Sequence, residues 1–97
     1  MDVEKIRVTV RFFADFREII KRKEVFLDID KEANILELLE NLCKDYDLKE
    51  KIFDGENNLK KLVNILKNGR QIKFLNGLKT KLSQGDEISL FPPAIGG

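Results

Sequence analysis

Histidine and tryptophan are absent from this chain of 97 residues; cysteine and methionine occur once each and proline twice. Without histidine and with a single cysteine, the side chains cannot assemble an ordinary zinc site or a Cys–His or Ser–His nucleophile pair. One cysteine also cannot close a disulfide within the chain. Neither sign of charge is in surplus, since 18 Lys and Arg stand against 17 Asp and Glu. A dedicated nucleic-acid binder would carry a basic excess. Long apolar runs are missing as well, so no segment reads as a membrane span. No N-terminal stretch combines the basic, apolar and small-residue zones of a secretion signal. The expected setting is the cytoplasm, with no nucleic acid, no membrane and no metal among the partners.

What is present is the composition of a folded domain, 42% hydrophobic and 36% charged. Domains commonly run to about 100–150 residues, so residues 1–97 are expected to form a single one, with 92–97 as a flexible tail. Residues 5–13 alternate strictly. Ile6, Val8, Val10 and Phe12 fall on one side and Lys5, Arg7, Thr9 and Arg11 on the other, the period of a half-buried strand. Phe13 breaks the pattern by falling on the polar side. Residues 24–30 alternate again, Val25, Leu27 and Ile29 against Glu24, Asp28 and Asp30, with Phe26 out of place. Between the two strands, Ala14–Lys23 ends in the basic cluster Lys21-Arg22-Lys23, a solvated turn.

The period then lengthens to 3.6. Ile35, Leu38, Leu39, Leu42 and Tyr46 share one stripe of a helix, opened by Asn34 and Glu37 in the spacing of a capping box. Residues 48–54 predict a further helical turn and 54–58 a loop. Leu62–Lys67 runs into Asn68-Gly69, a strong hairpin signal, with Gln71–Leu75 as the return strand. Gln84-Gly85-Asp86 predicts a turn and Glu87–Phe91 a last strand. The first and last strands are the most apolar and belong at the sheet's centre. Two strands, a helix, a hairpin and a final strand predict an α+β fold, the ubiquitin-like β-grasp. Its mixed four- to five-stranded sheet would pack on one main helix.

Phe13 and Phe91 both lie on the side of their strands that faces away from the helix. If the first and last strands are neighbours, they form an apolar partner-binding patch where the tail leaves the sheet. Arg17 follows in the connecting loop and could pair with a carboxylate of a partner. Cys43 falls at the edge of the helical stripe and reads as a small packed residue, Glu37 and Glu40 as surface solubilisers.

Phe12-Phe13-Ala14-Asp15-Phe16-Arg17-Glu18, Asn68-Gly69, Gly85-Asp86-Glu87-Ile88-Ser89-Leu90-Phe91-Pro92-Pro93 and Gly96-Gly97 occur in that order along nearly the whole chain. This arrangement resembles the MoaD-like small subunit of molybdopterin synthase, within the MoaD/ThiS family of ubiquitin-like sulfur carriers. The resemblance is loosest at about residues 44–61. Ala94-Ile95 stands where the family commonly has Val followed by a small residue.

The resemblance implies a non-catalytic subunit that carries sulfur for the dithiolene of the molybdenum or tungsten cofactor. The reactive group would be the carboxylate of Gly97. An ATP-dependent adenylyltransferase of the ubiquitin-activating kind would adenylate it, and a persulfide donor would convert it to a thiocarboxylate. The tail, Pro92, Pro93, Ala94, Ile95 and Gly96, would then insert into the molybdopterin synthase large subunit. No cofactor is expected on the chain itself; ATP belongs to the activating enzyme. The residue types suit that chemistry. A Cβ on either terminal residue would widen the strand where it must thread a narrow channel. Two prolines hold the chain extended and limit the ordering entropy of insertion. The alternative implied by the same end is a ubiquitin-like modifier joined through Gly97 to lysines, or a sulfur carrier for another thiolation pathway.

Overall fold

The structure is a computed structural model that describes residues 4–55 and 58–92. Alternation makes β1, Lys5–Phe12, a strand whose Val8, Val10 and Phe12 are fully buried while Lys5, Arg7 and Arg11 stay exposed. It pairs antiparallel with β2, Glu24–Asp30, in a register running from Lys5 opposite Asp30 to Arg11 opposite Glu24. That register places opposite charges face to face. Lys5 meets Asp30 at 2.6 Å, Arg7 meets Asp28 at 2.9 Å and Arg11 meets Glu24 at 3.4 Å. The hydrogen bond from Arg7 holds the Asp28 carboxyl below the usual carboxylate range. These pairs are solvent-exposed and fix register more than they add stability.

The segment between the two strands is not all turn. Asp15–Ile20 forms a short helix, α1, because Phe16 and Ile20 lie four residues apart and both reach the core. Lys21 then ends it in the left-handed region at φ 63°, its N–H donating to the Arg17 carbonyl at 2.7 Å.

The main helix, α2, spans Ile35–Asp45. Asn34 caps it as expected, its side-chain oxygen accepting from the Glu37 N–H at 3.0 Å. Ile35, Leu38, Leu39 and Leu42 are fully buried against the sheet, each worth about 1.5–3 kcal/mol of transfer free energy. A second short helix, α3, covers Lys49–Ile52, where the sequence predicts a helical turn. Of the expected loop 54–58, residues 56 and 57 lie outside the described part.

The last third contributes β3, Asn64–Lys67, β4, Arg70–Gln71, and β5, Glu87–Phe91. The strands lie in the order β2-β1-β5-β3-β4, with β1 and β5 parallel and the other pairs antiparallel. A mixed five-stranded sheet gripping one main helix on a single face is the ubiquitin-like β-grasp. Asn68 and Gly69 both have positive φ, 50° and 85°, so the hairpin turn between β3 and β4 forms as predicted. The return strand is shorter than the expected Gln71–Leu75. Ile72 turns into the core, and Ile72–Phe74 winds into a 3-10 turn that leaves Phe74 exposed.

Two sequence signals that looked independent are one structural unit. Asp86 is buried in front of β5, accepting from Ser83 N–H at 2.7 Å and from the Asn68 side-chain amide at 2.9 Å. Asn68 in turn accepts from the Glu87 N–H at 2.8 Å and donates its own N–H to the Glu87 carbonyl at 2.8 Å. The hairpin turn is thereby bolted to the start of the last strand. Asp86→Ala would remove two part-buried hydrogen bonds to a carboxylate and is expected to lower the unfolding free energy by about 2–3 kcal/mol. Urea denaturation measures this, and a loss below about 0.5 kcal/mol would show the bolt to be ornamental.

Candidate functional site

Parallel pairing of β1 with β5 aligns Phe12 with Leu90, and the Phe13 N–H continues the ladder by donating to the Leu90 carbonyl at 3.2 Å. The next residues in register are therefore Phe13 and Phe91. Their rings stack with centroids 4.2 Å apart and planes 11° from parallel. Each is half-buried, because one ring face covers the other. Arg17 extends the stack from α1. Its guanidinium carbon lies 5.6 Å from the Phe13 centroid, and its Nε donates to the Phe12 carbonyl at 3.2 Å. The structure thus gathers Phe13, Phe91 and Arg17 at one end of the sheet's centre, directly before Pro92. Gly97, Gly96, Ile95, Ala94 and Pro93 lie outside the described residues.

The arrangement depends on Ala14, which sequence reasoning passes over. Between Phe13 and α1 it adopts φ 52°, ψ −128°, a region where a side chain is strained. Its carbonyl accepts from Arg17 N–H at 3.0 Å and Glu18 N–H at 3.3 Å, so the kink starts α1 and swings Arg17 back over Phe13. Leu62 adds a further apolar side chain that sequence reasoning did not single out. It lies two residues before Asn64, which is paired with Phe91, and is 62% exposed.

Cys43 lies elsewhere, half-buried against the core beside a groove between α2 and α3. That groove encloses about 580 Å³ and is lined by Leu36, Glu40, Cys43, Lys44, Lys49 and Phe53. Burial, with a smaller push from Glu40, raises the Cys43 thiol above its ordinary pKa despite the opposing charge of Lys49. A thiol kept protonated at neutral pH is a poor nucleophile. Glu37 and Glu40 are exposed on α2, as expected of solubilising residues. No helix of the described residues is long and apolar enough to cross a membrane.

A mixed five-stranded sheet gripping one main helix, with a stacked aromatic pair at the end of its two central strands, places the chain among the small ubiquitin-like domains. Residues 10–97 match the ThiS family model, and the chain belongs to that family of ubiquitin-like sulfur-carrier domains. It is 40% identical over 94 residues to small archaeal modifier protein 3 of Haloferax volcanii, covering 95% of this chain and all of that one. A protein of Archaeoglobus fulgidus, assigned by inference as a sulfur carrier, is 36% identical over 74 residues, 73% of this chain and 83% of its own. The solved structure of a Pyrococcus furiosus protein, assigned by inference as molybdopterin converting factor subunit 1, superposes with a TM-score of 0.74. It is 29% identical, over 92% of this chain and 99% of the other.

The strain at Ala14 gives a direct test of how the site is held. Replacing it with glycine relieves a cost of about 1–3 kcal/mol, offset by about 0.5–1 kcal/mol of extra backbone entropy in the unfolded chain. Ala14→Gly is therefore expected to raise the unfolding free energy by about 1 kcal/mol in urea denaturation. A clear loss of stability would mean that the conformation is not strained.

Proposed function

We propose that this chain is a ubiquitin-like modifier that is activated at the carboxylate of Gly97 and joined through it to lysines of other proteins. The observation that carries this reading is the 40% identity to a small archaeal modifier across 95% of the chain. In the proposed cycle the carboxylate attacks the α-phosphate of ATP on an activating adenylyltransferase, and pyrophosphate leaves. A lysine amine then displaces AMP from the acyl-adenylate and forms an isopeptide bond. The chain itself contributes no catalytic side chain and binds no cofactor. It offers a reactive end and a face by which partners recognise it, working in the cytoplasm. Phe13, Phe91 and Arg17 are the proposed docking residues, and Pro92, Pro93, Ala94, Ile95 and Gly96 form the arm that enters the partner's active site.

A second reading has its own support. Phe91-Pro92-Pro93 ahead of Gly96-Gly97, together with the likeness to the Pyrococcus furiosus protein, favours the small subunit of molybdopterin synthase. There the outer sulfur of a persulfide would displace AMP from the same adenylate, and a thiol would cleave the resulting acyl disulfide, leaving as a disulfide with the donor and freeing a thiocarboxylate that serves the synthase large subunit. The two readings share every step up to the adenylate and part only at the nucleophile.

Mass spectrometry after incubation with ATP, a cognate activating enzyme, a sulfur donor and cell lysate separates them. Conjugates of Gly97 on lysines of other proteins are expected. Exchange of one carboxylate oxygen for sulfur without any conjugate would favour the second reading, and neither product from an active enzyme would sink both. Deleting Gly96 and Gly97 should abolish either product. Phe91→Ala should fold but bind the activating enzyme about tenfold more weakly, the loss of one well-packed aromatic anchor. Cys43→Ser should be activated as the wild type is; failure at normal stability would give the thiol a part in the chemistry.

A further inference from the structure

The sheet has two edges of unequal character. At one, β4 is only the two residues Arg70 and Gln71; at the other, β2 offers seven. The backbone bonds at either end of β2 show which of its groups are free. Phe12 N–H donates to the Lys23 carbonyl at 2.9 Å and Lys31 N–H to the Glu4 carbonyl at 3.0 Å, so odd-numbered residues face β1. In an antiparallel ladder the residues between them alternate, and the N–H and C=O groups of Glu24, Phe26 and Asp28 point outward along the edge.

Such an edge is ordinarily blunted by charge. On β2 the acids are already occupied, because Glu24, Asp28 and Asp30 are tied to Arg11, Arg7 and Lys5 of β1. The uncharged side chain in their midst is Phe26, 60% exposed on the open face. Val25 and Leu27 beside it are only half-buried on the other face. The edge is also self-complementary. Lys21, Arg22 and Lys23 precede β2 with no ion pair among the described residues, while Asp28 and Asp30 lie at its far end.

We infer that β2 pairs with β2 of a second copy of this chain, antiparallel and centred on Phe26, joining two sheets into one of ten strands. In this register Phe26 faces Phe26 on the open side and Val25 faces Leu27 on the core side. The outward backbone groups of Glu24 meet those of Asp28 in the other copy. Arg22 of each copy comes opposite Asp30 of the other, an opposite-charge pair repeated by the two-fold axis. The Glu24–Asp28 juxtaposition is softened by the arginine that each already holds. Because the strands run antiparallel, the two Phe13–Phe91 ends emerge at opposite ends of the joined sheet.

Sedimentation of the full chain over a concentration series up to about 1 mM tests this, since a single short strand pair supports only weak association. The expected weight-average mass climbs from 11.3 kDa toward twice that value. In parallel, amide exchange should slow with concentration at Glu24, Phe26 and Asp28 but not at Val25 and Leu27, which already face β1. Phe26→Lys, on an exposed site, should keep its thermal melt and associate at least tenfold more weakly, whereas Phe91→Ala should associate like the wild type. A wild type that stays monomeric, a Phe26→Lys variant that still dimerises, or loss of the dimer in Phe91→Ala would each overturn the inference. So would protection of those three amides that appears only when a foreign peptide is added, since the occupant would then be that strand and not a second copy.

Discussion

The parallel pairing of β1 with β5 is the constraint on which the rest of the molecule depends. It brings Val8, Val10, Ile88 and Leu90 side by side at the middle of the sheet, all fully buried under α2. It also fixes where the polar-side residues go. Once Phe12 is aligned with Leu90, Phe13 and Phe91 have little choice but to meet. Arg17 can reach over them because Ala14 turns the chain back at that point. Core and platform are two faces of one register. A slip by one residue would send the aliphatic set to solvent and the aromatic pair into the core.

What could be read from the sequence was whatever is written in a local period or a turn residue. β1 and β2 alternate, α2 carries its stripe and its Asn34 cap, and Asn68-Gly69 demands a left-handed turn. Those elements stand where the residues put them. The elements that could not be read depend on distant partners. α1 rests on a single buried pair, Phe16 and Ile20, too short a pattern to show against a basic, loop-like stretch. β4 stops after Gln71 because Ile72 is drawn inward by a core that no local window contains. At the site, Phe13 and Phe91 were visible because each violates its strand's alternation. The strained Ala14 leaves no compositional trace, since alanine gives no hint of a positive φ.

The functional reading shifted for a similar reason. Phe91-Pro92-Pro93 is a specific local signal and points to the molybdopterin branch, while the relatives matching most of the chain include a small archaeal modifier. Under the proposal the two lie close because the chemistry they share would reside in the carboxylate of Gly97, and the distinction between them would lie in which nucleophile a partner enzyme admits. A domain working in this way would carry specificity in its surface and generality in its end.

The central placement of β5 bears on how the chain comes to be folded during synthesis. The N-terminal strands and the main helix emerge early, but β1 has only β2 beside it until Glu87–Phe91 has been made. Contacts between residues so far apart in sequence close the largest loops and are the slowest to form. The nascent chain therefore cannot complete its core step by step from the N-terminus. It must wait, with Val8 and Val10 uncovered on one flank, for a strand made after every other strand of the sheet.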